Sequence, residues 1–287
     1  MNPLFWSWSA VTIATVLGGF LLGGFLTGID RKLTARMQNR VGPPIVQPFF
    51  DVIKLWGKER VMVNPMQLLY ANTYLFFSVA SLVLLILGWD LLMILFISAF
   101  ASVALVLGGY SVESPYARIA SQREIIQIAA AEPVLVLAMV GMFLVTGDFT
   151  AAAIPEHPRP LLVDLPLVFV ALLIAIGIKL RKSPFDVSTS AHHAHQELVR
   201  GIYTEFAGPT LAVLEVGHWF EMIFFLVFLG LFWAPDWRIA GLLLTSTFIL
   251  ELLVDNISAR YTWSWLLKVA WVGGMGLAAV NVAWLYL

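Results

Sequence analysis

The stretch GPTLAVLEVGHWFEMIFFLVFLGLFW, residues 208–233, decides the fold. It stays apolar for longer than the ~20 residues a helix needs to cross a bilayer core of about 30 Å. Seven further segments meet or approach that length: 9–29, 70–88, 91–109, 125–146, 162–180, 239–254 and 264–286. The second and third are separated only by Gly88-Trp89-Asp90, which predicts a tight hairpin. Segment 239–254 is short and carries Glu251 near its end. Composition agrees: 60% of the residues are hydrophobic and 12% charged, where a soluble domain carries about 25% charged residues. Mean hydropathy is +0.87. So few charges cannot cover a water-exposed surface, so most of the exterior must face lipid. The expected fold is an all-α integral membrane protein of about eight transmembrane helices, one polytopic membrane domain over residues 1–287.

Several function classes fall away. A net charge of −1 argues against a nucleic-acid partner. The chain has no cysteine, so it can neither form a disulfide nor offer a thiolate to a metal. Nucleophile motifs, phosphate-binding glycine loops and nucleotide fingerprints are missing. No small-residue cleavage site precedes Arg31-Lys32, so the first apolar run is expected to remain as the first helix.

The basic residues set an expected topology. Arg31, Lys32, Arg36, Arg40, Lys54, Lys58 and Arg60 fall in the first loop, and Arg118 and Arg123 in the third. Lys179, Arg181, Lys182 and Arg200 fall in the fifth, and Arg260 and Lys268 flank the seventh. Only Arg159 and Arg238 lie on the other side. The positive-inside rule then puts the odd-numbered loops in the cytoplasm and both termini on the outer side. The two largest polar stretches, 31–69 and 181–207, share the cytoplasmic side and predict a docking face for soluble partners.

Ionisable residues within a bilayer are costly and mark pathways. Glu124, Ile128 and Glu132 recur every four residues and share a face of the fourth helix, with Arg123 and Gln127 on the neighbouring stripe. Glu132, just before Pro133, reads either as a pathway acid or as an acid satisfied by one local partner. In the sixth helix, Glu215, His218 and Glu221 are spaced in steps of three, which makes each acid a neighbour of the imidazole. Such a row suits proton relay; a static hydrogen-bonded cluster is the other reading. A polar helix from about 192 would put Glu197 and Glu205 two turns apart on one face. His192, His193 and His195 lack the further ligands a metal site requires and read as an exposed polar loop.

Three blocks carry a resemblance. The first is RMQNRVGPP (36–44), followed by QPFFDVIKLWGKE (47–59). The second is REIIQ (123–127) leading to Glu132, together with Pro184-Phe185-Asp186. The third is ELVRG (197–201), followed by TEFAG (204–208). In this order they resemble the quinone-site membrane subunit of respiratory complex I and its homologues in membrane-bound hydrogenases, over nearly the whole chain. The run His-His-Ala-His-Gln-Glu ahead of ELVRG looks like the energy-converting nickel–iron hydrogenases and formate hydrogenlyases. His218 stands where the quinone-linked enzymes carry an acid.

The resemblance implies a non-catalytic membrane-arm subunit of an oxidoreductase and ion-translocating complex in a prokaryotic cytoplasmic (inner) membrane. No cofactor is expected in this chain; the nickel–iron centre and iron–sulfur clusters would lie in partners. Those partners would be hydrogenase large and small subunits, a ferredoxin-like iron–sulfur subunit and an antiporter-like membrane subunit. Electrons from ferredoxin or formate would reduce protons, with proton or sodium translocation. By analogy Glu132, Glu197 and Glu205, with Glu215, His218 and Glu221, would line the proton path. Arg36, Arg40, Gln47, Asp51, Lys54, Lys58 and Glu59, with Asp186, would build the coupling loop under the proximal cluster. The alternatives are the quinone-site membrane subunit of a respiratory complex I itself and a passive membrane anchor.

Overall fold

A computed structural model describes residues 3–181, 201–234, 236–259 and 261–285. Regular structure there is helical, apart from isolated bridge residues such as the Asp90–Thr150 pair. The long α1 (Pro3–Met37) is followed by α2 (Gln47–Trp56), α3 (Met66–Ile86), α4 (Leu91–Tyr110) and α5 (Pro115–Thr146). Two single turns, α6 (Ala153–Glu156) and α7 (Leu161–Asp164), lead into α8 (Pro166–Lys179). Then come α9 (Gly208–Gly230), α10 (Trp237–Ile257) and α11 (Trp263–Lys268), which continues through a π-helical segment, Val269–Met275, into α12 (Gly276–Trp284).

Seven of these helical stretches are long and apolar enough to cross a membrane, and α8, with 14 residues, is a shorter apolar helix beside them. All eight expected segments are therefore helical. The Gly88-Trp89-Asp90 hairpin is also present: Gly88 has φ +77° and Asp90 Oδ1 accepts from the Met93 amide at 2.9 Å, capping α4. The ends differ from expectation. α1 runs on through Arg31, Lys32 and Arg36, and α5 starts at Pro115, so Arg118 and Arg123 are helical and not in a loop. Arg, Lys, Leu and Ala are good helix formers, and nothing obliges a helix to stop where the lipid does. Pro115 suits a first turn, where its missing N–H would have no partner anyway. As a result Glu132 sits past the middle of a 32-residue helix, not two turns into it.

The interior is built around α9, whose Trp219, Phe224, Phe225 and Phe228 are buried. It packs on α3, α1 and α2, while α1, α10 and α12 form the periphery. Two polar devices hold the apolar helices where backbone groups would otherwise go unsatisfied. Leu165 and Pro166 break α7 from α8, and the exposed amides of the new helix are capped from α12: Asn281 Oδ1 accepts from Leu167 N at 2.8 Å and Val168 N at 3.1 Å. Asn281 Nδ2 donates to the Asp164 carbonyl at 3.0 Å.

Pro133 creates the second case. Lacking an N–H, it cannot bond the carbonyl of Ala129 four residues back. The indole Nε1 of Trp271 donates to that carbonyl at 3.1 Å. Trp271 belongs to the π-helical segment, a local widening of the ladder between α11 and α12. Trp271→Phe is expected to leave the Ala129 carbonyl bare and lower stability by about 1–3 kcal/mol. The midpoint of thermal unfolding in detergent should fall, while Trp284→Phe at the exposed end of α12 leaves it unchanged. Equal midpoints would mean that carbonyl has another partner.

Candidate functional site

α2 is amphipathic and lies across α1 and α9. Its inner side is anchored by aromatic rings: Phe49 packs on Trp219 (5.4 Å between centroids), Phe20 (5.6 Å) and Phe25 (5.3 Å). Gly24 of α1 leaves the room, since a Cβ there would collide with the Phe49 ring. On the other side Phe50, Ile53 and Trp56 are exposed at steps of three, the pattern of a helix lying along a membrane surface.

Between α1, α2 and α9 a pocket of about 220 Å³ is lined by Arg31, Asp51, Lys54, Lys58 and Glu215, with Pro48, Val52, Leu55 and Trp219 beneath. Arg31 NH1 donates to Asp51 Oδ2 at 2.6 Å, and Gln47 Nε2 to Asp51 Oδ1 at 3.0 Å. Glu215 is the acid that α9 contributes to this pocket.

The same loop touches the turn ahead of α9. Gln67 Nε2 donates to the Glu205 carbonyl at 3.1 Å. Gly208 has φ +57°, and a Cβ on it would lie 2.6 Å from the Glu59 carbonyl oxygen. A glycine is needed there twice over, for the left-handed backbone and for the close approach. The loop carrying Lys58 and Glu59 thus rests directly on the start of α9.

Beneath lies a core of paired charges. Lys179, the last residue of α8, bonds Glu132 Oε1 at 2.5 Å and Ser102 Oγ at 3.2 Å. Two residues on, Arg181 adopts φ +58°, a left-handed turn that returns its side chain to the bundle. Its NH2 pairs with Glu124 Oε1 at 3.2 Å and its NH1 donates to the Tyr203 hydroxyl at 2.8 Å. Gln127 Nε2 also donates to Glu124 Oε2, at 3.3 Å. Burial pushes the Tyr203 hydroxyl up to about 12; Arg181 opposes the rise, and Glu215, Glu221 and Glu124 add to it. Tyr203 therefore stays protonated, a neutral group among charges drawn from α5 and α9.

On α9 the expected row of three is split. The Tyr74 hydroxyl of α3 donates to Glu221 Oε2 at 2.8 Å, and His218 Nδ1 stands 3.7 Å from the same oxygen. Glu215 instead faces the pocket under α2. The imidazole therefore neighbours one acid, and the row divides between two sites.

The sequence matches the NADH dehydrogenase family over residues 9–286. The chain belongs to that family. It is similar to hydrogenase-4 component C of Escherichia coli, 28% identical over 92% of each chain, and to formate hydrogenlyase subunit 4 of the same organism, 28% identical over 88% of this chain and 91% of that one. Against the corresponding NADH-quinone oxidoreductase subunit of Thermomicrobium roseum it is 27% identical over 75% of this chain and 76% of the relative. The solved membrane-bound sulfane sulfur reductase, an archaeal respiratory membrane complex, contains a chain of the same fold: TM-score 0.87, 21% identity, 97% of this chain and 99% of that one.

In this NADH dehydrogenase family member, Glu215 lines the pocket under α2, Glu132 pairs with Lys179, Glu221 neighbours Tyr74 and His218, and the Glu205 carbonyl is held by Gln67. Asp51 and Gln47 are bonded to each other within α2, and Lys54 and Lys58 line the pocket beside them. Glu59 contacts the site only through its backbone, and Arg40 bonds Gln38 at the surface. Arg36 is exposed at the end of α1, away from this pocket's lining. Asp186, His192, His193, His195 and Glu197 lie outside the described residues. Among the described residues no group of three His, Cys, Asp or Glu is placed to hold a metal.

Sequence reasoning missed the partners. Lys179 and Arg181 read as loop cations, yet both are buried. The available signal was an imbalance, since acids inside apolar segments require cations that can reach them, and two stood at the end of segment 162–180. Tyr74 and Tyr203 gave no such signal. Lys179→Met and Glu132→Gln should each destabilise by about 3–5 kcal/mol, because each strands one buried partner. The double variant should regain most of that loss in thermal melting, whereas strictly additive losses would mean the pair is not coupled.

Proposed function

We propose that this chain is the membrane-arm subunit of an energy-converting nickel–iron hydrogenase, seated where the soluble redox module meets the membrane. One observation carries the reading: a surface loop rich in charge rests on the start of α9, just after the turn that carries Tyr203, the partner of the buried Arg181. Asp51 is held by Arg31 from α1, the Glu59 backbone rests on Gly208, and Glu205 is bonded through its carbonyl to Gln67. A charge change at the loop has only a short path of packed groups to the Lys179–Glu132 and Arg181–Glu124 pairs. In a low-dielectric site such a change alters which carboxylates hold protons, each pKa unit being worth about 1.4 kcal/mol.

With the chain's basic side facing the cytoplasm, the loops 31–69 and 181–207 receive the hydrogenase large and small subunits and a ferredoxin-like subunit. Glu132, Glu197, Glu205, Glu215 and Glu221, with His218, line the proton path toward an antiporter-like membrane subunit. The chain has no cysteine, so thiolate-held nickel–iron and iron–sulfur centres belong to those partners. Ferredoxin or formate supplies the electrons, and the membrane is a prokaryotic cytoplasmic membrane. One feature favours this over a quinone-site role: the hydrogenase components match this chain over nearly their whole length.

The complex, purified through a tag on this chain, is expected to evolve hydrogen from reduced ferredoxin or formate, insensitive to quinone-site inhibitors. Quinone reduction without hydrogen would overturn the assignment. Glu205→Gln should keep hydrogen evolution while reducing ion uptake into proteoliposomes at least tenfold. Undiminished uptake would remove Glu205 from the path.

A further inference from the structure

On the outer face of the bundle α1, α9 and α10 splay apart around a groove of about 450 Å³. Its walls are Leu26, Ile29 and Leu33 of α1, Leu226 of α9, and Leu244 and Phe248 of α10. The groove opens sideways, with Leu33 39% and Ile249 45% exposed. Its one polar lining group, the Thr245 hydroxyl, already donates to the Gly241 carbonyl of its own helix at 2.8 Å. An occupant therefore needs no hydrogen-bonding groups along its length.

The groove has a charged end. On α1 its lining residues recur at 22, 26, 29 and 33, and the next step along that stripe is Arg36. Arg36 is exposed, and its side chain makes no hydrogen bond or ion pair with the described residues. Just inside it, Asn256 Nδ2 of α10 donates to Thr34 Oγ1 at 3.2 Å, tying the two helices together and closing the groove beyond Leu33. The site is thus an apolar slot running about 16 Å along α1, ending at a guanidinium that no described residue pairs.

We propose that this groove holds an acyl chain of an anionic phospholipid whose phosphate is bound by Arg36. The inference needs only that the chain spans a membrane and does not rest on the hydrogenase reading. Its walls favour a lipid over a partner's transmembrane helix. Helix–helix contacts in membranes use small residues that let backbones approach, or polar groups that bond across; these walls are branched and aromatic apart from Thr245, whose hydroxyl is already bonded within its own helix. A chain already in lipid gains packing and no hydrophobic energy on entering, so the charge at Arg36 decides retention. One cation near an anionic membrane surface corresponds to about a five-fold change in binding.

The test is phospholipid content of the intact complex after detergent purification and rebinding of phosphatidylglycerol, read by native mass spectrometry. Arg36→Gln should lower retained phosphatidylglycerol about five-fold and abolish its salt dependence. Ile29→Trp, which fills the slot, should lower phosphatidylglycerol and phosphatidylcholine alike. Arg238→Gln, at the opposite end of α10, should change neither. Equal lipid retention in wild type and both groove variants would overturn the proposal. So would recovery of a quinone in place of phospholipid, or a partner helix cross-linking to residue 29.

Discussion

A charge inside a bilayer has no water to turn to, so each one must bring its partner with it. The rest of the structure depends on that constraint. The described part of the bundle meets it with Lys179 on Glu132, Arg181 on Glu124 and Tyr203, and Tyr74 with His218 on Glu221. These contacts join α3, α5, α8 and α9, along with the turn ahead of α9, in one polar seam through an otherwise apolar interior. Replacing buried pairs by well-packed apolar groups is often neutral or stabilising. Stability alone therefore does not explain keeping a seam of this kind, and transmission of charge changes is the role proposed for it.

The same constraint acts on the backbone. Where Pro133 frees a carbonyl and where α8 restarts at Pro166, side chains from the last helical stretch supply the missing bonds through Trp271 and Asn281. That stretch is peripheral in packing, yet it fixes the geometry of both helices that carry the ion pairs. At the loop, close approach does the corresponding work. Gly208 lets the Glu59 backbone rest on the start of α9, and Gly24 lets Phe49 reach Trp219. The loop and α2 are therefore both packed closely against α9.

Much of this was legible in the sequence. Hydropathy located all eight apolar helices and the hairpin at Gly88, because lipid imposes a length on each crossing. Helix ends were less legible: α1 continues to Met37 and α5 begins at Pro115, since polar residues extend a helix as readily as apolar ones. The acids at 124, 132 and 221 stood out as charges in apolar runs. Their partners did not, because a Lys or Arg at a helix end gives the same local signal whether it reaches outward to water or inward to a carboxylate. Glu215, His218 and Glu221 had the spacing of a row, but Tyr74 arrives from α3 to bond Glu221, while Glu215 lines the pocket under α2. One-dimensional periodicity carries no information about such neighbours.

Infrared difference spectroscopy of the whole complex, poised between its reduced and oxidised states, tests the central claim most directly. If the seam responds to the redox module, the difference spectrum contains carboxyl bands, and Glu132→Gln with Lys179→Met removes or shifts at least one of them while the bands of the partners' metal centres persist. A spectrum from that double variant superimposable on the wild type would mean the charge pairs are static supports, and that coupling runs elsewhere.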